Sequence, residues 1–211
     1  TASDNVDAVV SVTSDAPAVL PIGSTVVTFS ASDLAGNLGS ATATITVTDQ
    51  AGPDVTPPEA ITVAADNADG TPAGNESIAA FLTGASASDN VDSSVPVTNN
   101  APATFPLGET VVVFSATDAA GNTGNATARL TVTDQTAPSL AVPNGIIVPA
   151  ANSAGTSATV VPIQELLGAA TATDNIDEIV TITNDAPSDF PLGTTTVTFT
   201  AVDEAGKSVT G

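Results

Sequence analysis

A chain of 211 residues with 23 acidic and two basic side chains carries a net charge of −21, which repels nucleic-acid phosphates and anionic lipid and attracts metal cations. It has no Cys and no His, which removes thiol nucleophiles, the usual zinc ligands, imidazole bases and disulfides, and no stretch of about 18 apolar residues could span a bilayer. Its hydrophobic content of 42%, mostly Ala and Val with six Phe as the large pieces, sets it apart from a disordered acidic tail and predicts short strands and turns.

Taken in chain order, Asp4-Asn5-Val6-Asp7 is the first turn sequence, and Val10 and Val12 mark a strand. Pro21-Ile22-Gly23 then starts a hairpin, with Leu20 plugging one end of the core. Its first strand places Val27, Phe29 and Ala31 on one face. Asp33-Leu34-Ala35-Gly36-Asn37 has turn composition, and the second strand, Ala41 to Thr48, points Ile45 and Val47 inward.

The same order then recurs. Ala60-Ile61-Thr62-Val63 is a first strand, and Ile78 to Leu82 followed by Ala85 to Ser88 leads into Asp89-Asn90-Val91-Asp92. Val95 and Val97 mark the next strand, Phe105 plugs the core, and Val112, Phe114 and Ala116 line the first hairpin strand. Asp118-Ala119-Ala120-Gly121-Asn122 turns into Ala126 to Thr133, where Ala126, Ala128, Leu130 and Val132 alternate with Thr and Arg.

A third passage has Gly145 to Val148 as first strand, a short helical turn over Gln164 to Leu167, then Asp174-Asn175-Ile176-Asp177. Val180, Ile182, Phe190, Val197, Phe199, Ala201 and Asp203-Glu204-Ala205-Gly206-Lys207 follow in the same places. Corresponding marks lie 85 residues apart in both steps, a period of domain size. About seven short strands per period and no strong helix predict an all-β chain of tandem immunoglobulin-like sandwiches.

The register divides the chain into residues 1–52, a partial repeat whose first strands are missing; 53–135, a complete repeat; and 136–211, a repeat without its last strand. This predicts a mature piece of a longer array, and an incomplete sandwich over residues 1–50 whose missing strands come from further polypeptide of the same or a neighbouring chain.

Taken together, Pro57-Pro58-Glu59-Ala60-Ile61-Thr62-Val63, Ala87-Ser88-Asp89-Asn90, Phe105-Pro106-Leu107-Gly108-Glu109-Thr110-Val111 and Thr117-Asp118-Ala119-Ala120-Gly121-Asn122 resemble the hyalin repeat. The resemblance covers essentially the whole chain as one full and two partial copies. It implies an extracellular immunoglobulin-like module of adhesion proteins with no shared catalytic residues. Val91 stands where that family often carries a Cys, which makes the chain resemble bacterial or archaeal surface arrays more than animal modules.

For chemistry, the carboxylates matter most. The Asp89–Asp92 and Asp118–Asn122 loops share one end of such a sandwich, where the preceding repeat's last strand arrives with Asp49. The next junction gathers Asp134, Asp174, Asp177 and Asp203, with Lys207 in the place of Asn122. Oxygen ligands at that density predict Ca²⁺ at each junction; the competing reading is that these Asp residues only cap turns.

Recurrence of the same carboxylate pair in every repeat argues against an active site, and a repeat without Lys (the second) excludes a Lys–Asn isopeptide bond there. Asn75-Glu76-Ser77 and Asn125-Ala126-Thr127 match the N-glycosylation pattern, so glycan is a candidate partner. The expected function is a structural or adhesive spacer of a large cell-surface or secreted filament protein, not an enzyme. Its partners would be neighbouring repeats or like chains, with no nucleic acid and no direct membrane insertion. The alternatives are a carbohydrate- or protein-binding module, or accessory domains of a secreted hydrolase.

Overall fold

The computed structural model describes all 211 residues and is nearly all β, with two short helices, Glu76–Thr83 and Val161–Leu167. Tandem immunoglobulin-like β-sandwich repeats account for the architecture. The chain divides into two compact units: Thr1–Val55 with Ala87–Val97 and Ser115–Gly124, and Thr56–Ser86 with Thr98–Phe114 and Asn125–Gly211. No helix is long and apolar enough to cross a membrane.

In the first unit, Val12–Ser14, Gly23–Ser32 and Leu38–Val47 form an antiparallel sheet in that order. The long hairpin runs from Gly23↔Val47 to Ser32↔Leu38, closed by the Asp33–Asn37 turn. Val27 is buried, but Phe29 and Ile45 remain 40% and 38% exposed. The period-two pattern that points Ile45 inward is correct as geometry, but that face is fully covered only at Val27. Leu20, read as a plug, is only half-buried.

Repeat two shows the covered version. Its sheet has the order Ile61–Ala64, Thr123–Thr133, Gly108–Thr117, Val97–Asn99. Ile61–Ala64 pairs in parallel with the last strand, Leu130 opposite Ile61 and Val132 opposite Val63. Phe105, Val112, Phe114 and Leu130 are fully buried, and Val132 is nearly so. Within the second unit the ring of Phe81 meets that of Phe114 edge-on, centroids 5.8 Å apart at 72°.

The segment leading to the Asp89 loop contains a helix that the strand-and-turn reading passed over. Asn75 caps it, its side-chain oxygen accepting from the backbone N–H of Ser77 at 3.0 Å and of Ile78 at 3.5 Å. Glu76 sits in the first turn, where the helix dipole favours an anion. Ile78 and Phe81, three residues apart, share the buried face, and Gly84 ends the helix. The copy in repeat three lacks a side-chain cap and has Pro162 in its first turn, and it buries Ile163.

Upstream of each helix, a buried threonine fastens a loop. Thr71 Oγ1 donates to the Ala64 carbonyl at 2.8 Å and accepts from the Asp66 N–H at 3.2 Å; Thr156 does the same with Pro149 and Ala151. Gly70, at φ +108°, lets this loop pass the Phe105 carbonyl, which an added Cβ would approach to 1.9 Å.

Repeat three departs from repeat two along its sheet. Gly145 to Val148, expected as a first strand, forms no ladder, and only Phe199–Val202 of its long hairpin strand is regular, paired with Thr181–Asn184 and Ser208–Thr210. Phe199 is buried like its copy Phe114, while Phe190 is only half-buried.

Candidate metal centre

Every D-N-V/I-D loop is built the same way. In repeat two, Asp89 Oδ1 accepts from the backbone N–H of Val91 at 2.8 Å and of Asp92 at 3.0 Å, which fixes an Asx turn. These two N–H groups hold the Asp89 carboxyl below its ordinary value, Asp92 contributing most. Asp92 Oδ2 reaches across to the Ala119 N–H at 2.8 Å, tying this loop to the hairpin turn. Within that turn, Asp118 Oδ1 accepts from the Asn122 N–H at 2.7 Å and Oδ2 from its side-chain amide at 2.8 Å.

Asp49 arrives from the end of the repeat-one hairpin, its Oδ1 accepting from the Ala51 N–H at 3.1 Å. One carboxylate oxygen from each of Asp49, Asp89, Asp92 and Asp118 lies within 4.8 Å of the others. Asp118 is buried and the other three are half-buried. The loops thus occupy one oxygen of Asp49 and Asp89 with backbone N–H groups and leave the other, Oδ2, buried with no hydrogen-bond partner.

The second unit repeats the design. Asp174 Oδ1 accepts from Ile176 and Asp177, Asp177 Oδ2 from Glu204, and Asp134 Oδ1 from Thr136. Oxygens of Asp134, Asp174 and Asp177 lie within 4.8 Å of one another, and Oδ2 of both Asp134 and Asp174 is buried without a partner. Asn175 donates its side-chain amide to the Asp66 carbonyl at 3.3 Å, fastening the loop to the segment that follows Ile61–Ala64 in repeat two.

Asp203, expected in this second set, does not join the group. Its Oδ1 accepts from the Lys207 N–H at 2.6 Å, but Oδ2 is buried and unpartnered, because Lys207 offers no side-chain amide where Asn122 offers one. Of the eight carboxylates singled out from the sequence, seven fall into these two groups and Asp203 stands beside the second.

A third copy went unassigned in the sequence. Asp4 accepts from Val6 and Asp7, Asp7 from Leu34, and Asp33 from the Asn37 N–H and side-chain amide. The 85-residue period itself pointed to it.

Five buried, unpartnered carboxylate oxygens are the chemical test of a bound cation. A desolvated anionic oxygen with no donor is unfavourable, and a hard divalent cation satisfies it as a hydrogen bond would. All-oxygen donors without sulfur or imidazole suit Ca²⁺ rather than Zn²⁺ or Cu. The first group offers four carboxylates and the second three, to which backbone carbonyls and water would add.

The family model for the HYR domain matches residues 1–47, 53–133 and 133–211. The chain is 34% identical over 200 residues to Hyalin of Lytechinus variegatus, a match covering 91% of the chain and 36% of that protein. It is 36% identical over 193 residues to Hyalin of Strongylocentrotus purpuratus, covering 88% of the chain and 15% of that protein. The chain therefore spans well under half the length of either relative. Among solved structures, the Protocadherin gammaB7 EC3-6 cis-dimer is similar at a TM-score of 0.36 and 18% identity, over 90% of this chain and 59% of that one. The human Desmocollin-1 ectodomain is similar at 0.31 and 14%, over 89% of this chain and 43% of that one.

Proposed function

Because the chain belongs to the HYR domain family, we propose that it is a run of extracellular, non-catalytic adhesive spacer repeats divided at residues 1–52, 53–135 and 136–211, with Ca²⁺ holding the end of each repeat against the loops of the next. The observation that carries the metal reading is the meeting of Asp49 with Asp89, Asp92 and Asp118, with two of their oxygens buried and unsatisfied. Asp49 belongs to the end of one repeat and the other three to the next, so a cation shared among them would restrain the connecting segment. Asp134 stands in the same relation to Asp174 and Asp177.

Bound Ca²⁺ supplies charge compensation and a rigid multidentate node. The protein's own contribution is to aim the oxygens: backbone N–H groups hold one oxygen of Asp49, Asp89, Asp134 and Asp174 and turn the other inward. An adhesive filament under tension needs junctions that resist bending, and a cation shared between the end of one repeat and the loops of the next serves that end. Partners would be neighbouring repeats and like chains.

Isothermal titration of the metal-free chain with Ca²⁺, paired with solution scattering, tests the proposal. Saturable binding at the two junctions, with a longer and narrower particle in Ca²⁺ than in chelator, is expected. Absence of both heat and shape change at millimolar Ca²⁺ would leave the aspartates as turn residues.

A further inference from the structure

The turn that closes the hairpin of each repeat ends in Asn37 in repeat one, Asn122 in repeat two and Lys207 in repeat three. Each asparagine clamps an aspartate at both oxygens. Asp33 accepts the Asn37 N–H at 2.7 Å and its side-chain amide at 2.6 Å, and Asp118 accepts the Asn122 N–H at 2.7 Å and its amide at 2.8 Å. The Asn37 amide is the main cause that holds the Asp33 carboxyl below its ordinary value, so the clamp favours the charged form. Lys207 keeps only the backbone half of this arrangement, its N–H reaching Asp203 Oδ1 at 2.6 Å. Asp203 is 7% exposed, and its Oδ2 is buried without a partner.

The turn of repeat three is nevertheless docked on its neighbouring loop in the usual way. Asp177 Oδ2 accepts the Glu204 N–H at 2.9 Å, as Asp92 Oδ2 accepts the Ala119 N–H at 2.8 Å. Asp203 therefore stands beside Asp134, Asp174 and Asp177 in the place that Asp118 takes beside Asp49, Asp89 and Asp92, but only Asp118 has an oxygen within 4.8 Å of its whole group. Lys207 is exposed and pairs with no carboxylate. Its side chain leaves a backbone N–H that touches Asp203, so it brings a positive charge to the edge of the second group. At the first group the corresponding side chain, Asn122, is neutral.

We propose that Lys207 makes the Asp134–Asp174–Asp177 junction the weaker of two Ca²⁺ sites, so that the junctions load in sequence, the Asp49 junction first. This inference rests on the reading of both carboxylate groups as Ca²⁺ sites. Two effects act in the same direction. Affinity for Ca²⁺ follows the ligand charge and the rigidity of a site. At the first junction the fourth carboxylate is clamped at both oxygens before a cation arrives; at the second, one oxygen of Asp203 has no such hold. The ammonium of Lys207 also repels an incoming dication. At a separation of about 8 Å, one unit charge changes the affinity for a divalent ion roughly tenfold at a dielectric close to that of water. Between the two midpoints, Ca²⁺ stiffens the segment that follows Asp49 and leaves the segment that follows Asp134 free to bend.

Calorimetric titration of the metal-free 211-residue chain with CaCl₂ tests this, with the double variants Asp89→Asn/Asp92→Asn and Asp174→Asn/Asp177→Asn to assign the steps. Two steps about tenfold or more apart are expected, the tight one lost in the first variant and the weak one in the second. Lys207→Asn should tighten the weak step roughly tenfold and leave the tight one unchanged. Lys207→Met, which removes the charge without restoring the amide, should move the weak step in the same direction. Hydrogen exchange measured between the midpoints should slow at residues 89–92 and not at 174–177. Lys207 is exposed, so neither replacement at this position disturbs the core. Two steps of equal affinity, a weak step that belongs to the first junction, or a Lys207→Asn isotherm identical to the parent's would each overturn this inference while both Ca²⁺ sites stand. Absence of any binding at millimolar Ca²⁺ would overturn it together with the reading on which it rests.

Discussion

Asp49→Asn separates a ligand from a turn residue. Asp49 Oδ1 accepts the Ala51 N–H, and an asparagine carbonyl oxygen can keep that bond, so the Asx turn survives. What changes is Oδ2, now a buried, unpartnered anionic oxygen within 4.8 Å of three other carboxylates, which becomes a neutral amide donor. Two unit charges at that separation repel by about 1 kcal/mol in water and about 3 kcal/mol at the effective dielectric of a protein surface. Without Ca²⁺, the substitution therefore relieves repulsion and raises stability by at least about 1 kcal/mol.

With Ca²⁺ the sign reverses. A ligand at a hundred times its Kd, bound only to the folded state, stabilises by about 2.7 kcal/mol, and loss of one of four carboxylates removes most of that. For a repeat of this size each 1 kcal/mol moves the melting point by roughly 4–8 °C, so the variant should melt about 10 °C below the parent in Ca²⁺. In chelator it should melt a few degrees above. Scanning calorimetry in both buffers reads the two differences. An Asp49→Asn shift of the same sign in both, or none in either, refutes the metal reading, because a turn residue does not respond to Ca²⁺.

Two further outcomes follow. Lys207→Asn restores to Asp203 Oδ2 the side-chain amide that Asn122 gives Asp118, and should stabilise repeat three by about 1 kcal/mol in thermal melts, since it satisfies a buried acceptor. In acid, Asp89 and Asp4 behave as groups whose folded values lie below the ordinary 3.8 through backbone N–H bonds. Their contribution is complete above the unfolded value and is lost as pH falls through the folded one. Chelated protein followed by circular dichroism should thus hold its fold at pH 5 and lose stability below about pH 4, and Asp89→Asn should flatten that loss.

The period and the hairpins were legible because both are local. Alternating Val-x-Phe-x-Ala, a turn of fixed composition and alternating Ala-x-Leu-x-Val specify two adjacent strands without reference to the rest of the chain. The carboxylate groups were legible for a different reason: once the sandwich is granted, its loops must share an end, and seven of the eight residues follow from that. The helix at Glu76–Thr83 was hidden by its shortness and by Asn75, whose place in a glycosylation pattern drew attention from its role as a cap. The buried Thr71 clasp was invisible, since one threonine among many carries no sign that its hydroxyl faces inward.

Position 203 and positions 145–148 show where local reading stops. Asp203 and Asp118 open turns of the same pattern, Asp-x-Ala-Gly followed by Lys207 or Asn122, and the sequence places both in a metal group. The side chain four residues on decides whether the second Asp oxygen is engaged or left bare: Asn122 donates its amide to Asp118 Oδ2, and Lys207 leaves Asp203 Oδ2 without a partner. Gly145-Ile146-Ile147-Val148 is at least as strand-prone as Ala60-Ile61-Thr62-Val63, yet only the latter pairs, because only there does a strand with Leu130 and Val132 lie beside it. Propensity of about 1 kcal/mol in range cannot hold an edge strand that lacks a ladder.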